Sequence, residues 1–252
     1  MENFKYSFIK LEDSESILRI KLNRLEKRNA FNPQLIYELC SVWDFLEENS
    51  NFKIAVLESV DESVFSSGAD LKELIPILKN KKFIKDEFSE AVIKNNLLEK
   101  FYRKDKTYLK PVIGYASGYC LAGGFELLLS CDFKIVHENT ILGFPETKLG
   151  LIPAGGGLSR ITSLTSKTNA LEILINSHEL NLEKLLNLGV INDIVKGNEK
   201  NKIIDKYVEK ILNSSEDAVL LLMKNIDLFY SKNLKEKFIL EAKLLDELND
   251  EK

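Results

Sequence analysis

Hydrophobic and polar positions alternate with a period of two near the amino terminus and switch to a helical period further along. Phe4, Tyr6 and Phe8 alternate, and Ile17, Arg19, Ile20, Lys21 and Leu22 form a second run after the acidic stretch Glu12-Asp-Ser-Glu15. Both runs read as strands joined by a polar turn. Asn32 and Pro33 then open a helix, with Asn as the cap and Pro at the first helical position, where no N–H is needed. Its apolar stripe is Leu35, Ile36, Leu39, Cys40, Trp43 and Leu46. Ile54, Val56 and Leu57 predict a buried strand, and the turn 66–72 is expected to lead into a helix. Residues 79–106 are charged and helix-prone. Further strands are predicted at 111–116, 132–137 and 190–195, and amphipathic helices near 201–213, 216–230 and 232–250. Strand–turn–helix alternation over the first 145 residues, with a helical part after it, predicts the α/β class. We divide the chain into a core, 1–195, and a helical region, 196–252.

Composition narrows the function. The chain has 252 residues, 44% of them hydrophobic and 29% charged, enough for a substantial core. A net charge of −4 argues against sequence-independent nucleic-acid binding, which rests on a basic surface. It leaves room for an anionic ligand held by a local basic patch. Cys40, Cys120 and Cys131 form no metal-binding or redox pattern and read as small buried residues in a reducing compartment. His137 and His178 stand alone, without the neighbours that a metal site or a triad needs. No signal-peptide core or membrane-length apolar run is visible, so a cytoplasmic protein that engages no membrane is expected.

The chemistry concentrates around Glu126, which lies in the apolar run Gly118-Tyr-Cys-Leu-Ala-Gly-Gly-Phe-Glu126-Leu-Leu-Leu-Ser-Cys131. An unpaired buried carboxylate is expensive. Gly123 and Gly124 precede it where a helix would begin, and the first N–H groups of a helix are free donors. Donors beside a desolvated carboxylate suit acyl chemistry, one group stabilising a developing oxyanion and the other moving a proton. Ala69, after Ser67 and Gly68 at a turn, offers a second free N–H. Glu146, in Phe144-Pro-Glu-Thr-Lys-Leu-Gly150, offers a second carboxylate, and a pair at one site drives the two protonation states apart. The alternatives are a tight strand-to-helix turn whose Glu126 escapes to solvent, and a plain turn carboxylate at Glu146. The glycines at 155–157 resemble a phosphate loop only superficially, lacking its lysine and spacing.

Four patches in order resemble the enoyl-CoA hydratase/isomerase (crotonase) family: Asn23-Arg-Leu-Glu-Lys-Arg-Asn-Ala30, Phe65-Ser-Ser-Gly-Ala-Asp-Leu-Lys-Glu73, Gly118 to Glu126 with Cys131-Asp132, and Phe144-Pro-Glu146 with Leu149-Gly-Leu-Ile-Pro153. The resemblance spans about Ile17 to Asp250. It implies a crotonase-type ββα spiral over 1–195, a helical trimerisation region over 196–252, and a homotrimer or dimer of trimers. It also implies an acyl-CoA thioester substrate whose carbonyl oxygen meets the N–H groups of Ala69 and Gly123, with Glu126 and Glu146 catalytic. Contacts to CoA fall on Lys27, Arg28, Ala30, Ser67, Gly68, Asp70, Leu71 and Lys72, and the lysines and arginine would supply the local positive charge. With both glutamates present, the implied reaction is reversible syn addition of water to a trans-2-enoyl-CoA, with no cofactor beyond the CoA of the substrate.

The pattern also departs from the family. Ala122 stands first in the usual glycine cluster, Ala154-Gly-Gly-Gly-Leu-Ser-Arg160 replaces a Thr-Gln-Arg ending, and the segment from Lys72 to Lys110 is longer and more charged than usual. The chain stops at Asn249-Asp-Glu-Lys252, short of the tail that covers CoA in relatives. From this an open pocket with weak CoA affinity is expected, or a cover from another protein. Other readings are an enoyl-CoA isomerase, a dehydratase acting on an acyl-carrier-protein thioester, and a non-catalytic CoA-binding member.

Overall fold

The computed structural model describes residues 6–104, 109–176 and 180–230, together with Glu236, Ile239, Leu240, Glu241, Lys243 and Leu244. His178, Phe4, most of the expected 232–250 helix and the carboxyl-terminal residues lie outside these. The chain begins with a hairpin of β1 (Ile9–Ser14) and β2 (Ile17–Leu22), turning at Glu15, whose φ of 51° suits a tight two-residue loop. The first strand therefore lies later than the Phe4–Phe8 alternation suggested. Of the acidic stretch read as a turn, Glu15 does turn, but Glu12–Ser14 are strand: Glu12 sits opposite Arg19 and pairs with Lys21 at 2.6 Å, an arrangement open to an edge strand. Tyr6 and Phe8 alternate because they pack on the core.

Helix α1 (Pro33–Glu48) forms as expected, the Asn32 carboxamide oxygen accepting from the Leu35 N–H at 3.0 Å, and buries its whole predicted stripe. Next come β3 (Ile54–Ser59), β4 (Val64–Ser66) and three short helices, α2 (Ile75–Lys79), α3 (Glu87–Lys94) and α4 (Leu97–Phe101). The helix expected directly after residue 72 starts only at Ile75, because the Asp70 carboxylate accepts the Lys72 and Glu73 N–H groups and holds a turn. The helix-prone stretch breaks at Asn96, whose φ is 49°.

The pattern then repeats: β5 (Val112–Ala116), β6 (Tyr119–Leu121) and α5 (Gly123–Leu129), followed by β7 (Phe133–His137) and β8 (Ile141–Gly143). Helices α6 (Gly157–Leu164), α7 (Lys167–Ile175) and α8 (Leu182–Asn187), strand β9 (Asp193–Val195), and α9 (Lys200–Leu212) and α10 (Glu216–Tyr230) complete the described order. The sheet reaches its last strand at Val195, and helices follow. Strand β9 is shorter than the predicted 190–195 because Val190 and Ile191 pack into the core ahead of it.

Strands alternate between two sheets. A large sheet runs β1-β2-β3-β5-β7-β9, parallel except for the hairpin, and a small parallel sheet runs β4-β6-β8. Each of β3, β5 and β7 hands the chain to the next strand of the small sheet. Strands β6 and β8 have three residues each, too short to register as a periodicity in the sequence. Both faces of the large sheet are buried, as parallel sheets require: Ala55 and Leu57 face the main core, while Ile54, Val56, Ile113, Tyr115 and Ile135 pack beneath Ile204 and Val208 of α9.

One position is strained. Ala122 caps α5 at φ 52° and ψ −129°, a region glycine enters freely and a Cβ resists. Ala122→Gly should therefore raise unfolding free energy by about 1 kcal/mol, read as a Tm several degrees higher in a thermal melt. An unchanged or lower Tm would show that the surrounding contacts already favour the alanine.

Candidate active site

The turns that leave the carboxyl ends of β4, β6 and β8 converge, and they carry the two carboxylates and the two candidate N–H donors. Ser67, Gly68 and Ala69 follow β4. Gly123 opens α5 one residue after Ala122, with Glu126 on the first turn. Phe144, Pro145 and Glu146 follow β8, Glu146 lying in a short 3-10 turn. Ligands favour the carboxyl edge of a parallel sheet because the departing loops gather there.

Ala69 forms a parallel bridge with Phe31. The Phe31 N–H donates to the Gly68 carbonyl at 2.8 Å and the Asp70 N–H to the Phe31 carbonyl at 3.0 Å, so the bridge leaves the Ala69 N–H unclaimed. The Gly123 N–H, first in its helix, has no carbonyl one turn behind it within α5. The two peptides touch: a Cβ on Gly68 would sit 2.8 Å from the Gly123 nitrogen, and one on Gly123 would sit 3.5 Å from the Ala69 nitrogen. Gly68, at φ +90°, admits no larger residue.

Glu126 is 4% exposed and Glu146 is 9%. The Glu126 Oε1 accepts the Gly157 N–H at 2.8 Å. A Cβ on Gly155 would lie 2.5 Å from Glu126 Oε2, and one on Gly157 3.0 Å from Oε1, so these glycines let the main chain close on the carboxylate. Burial raises the Glu126 pKa, while the Gly157 and Gly155 N–H groups and the Lys104 and Arg160 charges oppose the rise. Glu146 has less help. Its Oε2 is buried without a hydrogen-bond partner among the described residues, and burial, with the nearby Glu126 charge adding to it, pushes its pKa up to about 7. The neighbours thus favour a charged Glu126 and a protonated Glu146.

The two stretches implied for CoA are zipped together. The Ser67 N–H donates to the Arg28 carbonyl at 3.0 Å and the Ser66 hydroxyl to the Asn29 carbonyl at 2.8 Å. Lys27, Arg28, Leu71 and Lys72 are exposed around this seam, with Ala30 and Gly68 buried beneath it. Asp70 is engaged internally: Arg24, 3% exposed, pairs with it at 2.8 Å and with Glu73 at 2.8 Å, and donates to the Ala30 carbonyl at 2.9 Å. Asp70 therefore shapes the loop, and its carboxylate is not presented outward.

Several residues around the site went unnoticed in the sequence. Arg24 was part of a matching patch with no role attached. Gly155 and Gly157 stood out as a weak phosphate-loop likeness and as part of a departure from the family pattern, with no contact to Glu126 expected of them. Tyr102, 5% exposed beside Gly123 and Gly155, and Lys104 lay in the stretch noted as longer and more charged than usual, with no role attached to either. His137, by contrast, bridges Asn139 Oδ1 at 2.7 Å and the Gly197 carbonyl at 3.0 Å, away from the site. The three cysteines are buried and form no disulfide among the described residues. Among the described residues no cluster of three or more His, Cys, Asp or Glu could hold a metal, and no helix is long and apolar enough to cross a membrane.

Residues 12–252 match the enoyl-CoA hydratase/isomerase family profile. A probable mitochondrial enoyl-CoA hydratase of Dictyostelium discoideum is 29% identical over 225 residues, covering 89% of this chain and 77% of that protein. A short-chain-enoyl-CoA hydratase of Clostridium acetobutylicum is 27% identical over 219 residues, covering 86% and 80%. The crystal structure of an enoyl-CoA hydratase from Bacillus anthracis superposes with a TM-score of 0.82 at 25% identity, covering 95% of this chain and 90% of that one.

A raised carboxylate pKa also has a stability consequence. The folded protein holds the Glu146 proton more tightly than the unfolded chain, so this group's contribution to stability declines as pH climbs from about 4.5 through about 7. Glu146→Gln should be more stable than the parent at pH 8, on the order of 1–3 kcal/mol, with the gap closing by pH 5. Denaturant melts at the two pH values decide it; a gap independent of pH would contradict the assignment of a raised pKa. This chain belongs to the enoyl-CoA hydratase/isomerase family.

Proposed function

We propose that the protein is an enoyl-CoA hydratase that adds water reversibly and syn across a trans-2-enoyl-CoA. The observation that carries this reading is the pair of buried carboxylates near two N–H groups that, among the described residues, have no acceptor; one carboxylate accepts a main-chain N–H and the other has an oxygen without a partner among those residues. The family and the named hydratases among its relatives support the same reaction.

In this mechanism Glu126, ionised, holds the water and takes its proton as the water oxygen bonds to the β carbon. Glu146, protonated, gives its proton to the α carbon. Between these events charge builds on the thioester oxygen, where the Ala69 and Gly123 N–H groups stabilise it without reorganising. The sum is one water added, and the proton left on Glu126 returns to Glu146 or to solvent before the next turnover. The exposed Lys27, Arg28 and Lys72 provide cationic ends for the CoA phosphates. This chemistry draws on no metal, nicotinamide or flavin, and CoA enters only with the substrate.

The assembly we propose is a homotrimer or a dimer of trimers. Leu158, Leu164, Leu171 and Ile175 of α6 and α7 are exposed in the single chain, which supports a subunit contact there. Three buried cysteines, none in a disulfide among the described residues, support a reducing, cytoplasmic location.

Crotonyl-CoA should lose its enoyl-thioester absorbance on incubation with the protein and yield a product heavier by one water. Glu126→Gln and Glu146→Gln should each lower turnover by roughly 10²–10⁴-fold while still binding a CoA thioester. Full activity in either variant would sink the assignment. Double-bond migration without gain of water would turn the reading toward isomerisation, and turnover confined to carrier-bound thioesters toward a biosynthetic dehydratase.

A further inference from the structure

Tyr102 borders the site beside Gly123 and Gly155. A Cβ on Gly123 would fall 2.6 Å from the Tyr102 hydroxyl oxygen and 3.5 Å from the Ala69 nitrogen, so the hydroxyl and both peptide nitrogens border the same small space. Against the hydroxyl-bearing end of the same ring, a Cβ on Gly155 would fall 2.6 Å from Tyr102 Cε2 and Cζ and 2.5 Å from Glu126 Oε2. The phenol is thus slotted between two glycines, its ring beside the base and its hydroxyl beside the oxyanion donors.

The ring is also firmly placed. The Tyr102 carbonyl accepts from the Arg160 guanidinium at 2.6 Å, and the preceding Phe101 carbonyl accepts from the Trp43 indole at 3.3 Å. The next residue, Arg103, donates to Asp132 at 2.9 Å and to the Ser130 carbonyl at 3.2 Å. Phe101 meets the ring edge-on with centroids 4.8 Å apart, and the Lys104 ammonium lies 6.0 Å from its centroid. Anchors on both sides in sequence fix the hydroxyl without using it.

We infer that the Tyr102 hydroxyl is a third hydrogen-bond donor to the thioester oxygen of the substrate, completing the pocket formed by the Ala69 and Gly123 N–H groups. The inference rests on the acyl-thioester reading of the site. Burial, with the Glu126 and Glu146 charges nearby, holds the phenol well above its usual pKa, so it remains a neutral donor throughout the working range. A preorganised donor aimed at developing charge strengthens as the enolate forms, which accelerates the step and leaves ground-state binding nearly unchanged. The alternative is a ring that only fills space and limits the acyl group.

Tyr102→Phe separates the two, since it keeps the ring and removes only the hydroxyl. With crotonyl-CoA, kcat should fall roughly 10²-fold with KM little altered. With 2,4-hexadienoyl-CoA, whose absorbance moves to longer wavelength when its carbonyl is polarised, the bound shift should be smaller in Tyr102→Phe than in the parent. An equal kcat and an equal shift in the two proteins would overturn the donor role, and a wider range of accepted acyl groups in Tyr102→Ala alone would then identify a filler. A parent that polarises hexadienoyl-CoA but adds no water would defeat the hydratase reading and leave the donor role standing. A parent that binds neither thioester would defeat both.

Discussion

Two carboxylates held out of water at the carboxyl edge of a three-stranded parallel sheet are the constraint around which this molecule is organised. Ionised carboxylates favour solvent strongly, so burying Glu126 and Glu146 side by side costs free energy that the rest of the fold offsets. The two are not treated alike. Glu126 receives main-chain N–H groups from a loop that can approach only because 155 and 157 are glycine. Glu146 is left with an orphan oxygen and a pKa near the middle of the physiological range. This asymmetry gives two chemically identical side chains different affinities for a proton, which is what the proposed base and acid require.

The topology explains how such a cluster is assembled from distant sequence. Each pass of the chain contributes a strand to the large sheet and a strand to the small one, and the turn leaving the small sheet brings its groups to one edge. Three passes supply Ala69, then Gly123 with Glu126, then Glu146. The large sheet, buried on both faces, and α1 beside it provide the rigid frame. Local strain sits close to the chemistry, at Ala122, one residue before an oxyanion donor. Strain is commonly retained where the surrounding structure over-determines a functional geometry.

Much of this was legible in the sequence, for identifiable reasons. Helix α1 announced itself through its Asn-Pro start and regular stripe. A charged residue inside an apolar run marked Glu126, and glycines ahead of it marked the donors. The misplaced first strand shows the limit of such reading: at Glu12 to Ser14, charge on an exposed edge strand looked like a turn, while the aromatic alternation before it reflected packing. Strands β6 and β8 were invisible because three residues carry no period. Tyr102 escaped for a different reason. Its position depends on anchors from Trp43, Asp132 and Arg160, contacts across 29 to 58 positions of chain, and nothing local distinguishes it from other tyrosines. Likewise Arg24 reads as one more basic residue until Asp70 and Glu73 are folded against it.

The division of labour between the two carboxylates is the centre of this account, and the pH dependence of kcat/KM for hydration of crotonyl-CoA tests it most directly, because that ratio reports the free enzyme. An acid that must be protonated and titrates at about 7 requires the rate to decline on the alkaline side with an apparent pKa of about 7, and an ionised base requires a second, lower limb. A bell of that form is the predicted result. A rate that stays level from neutral pH to about pH 9 would contradict it, since Glu146 would then be working without its proton.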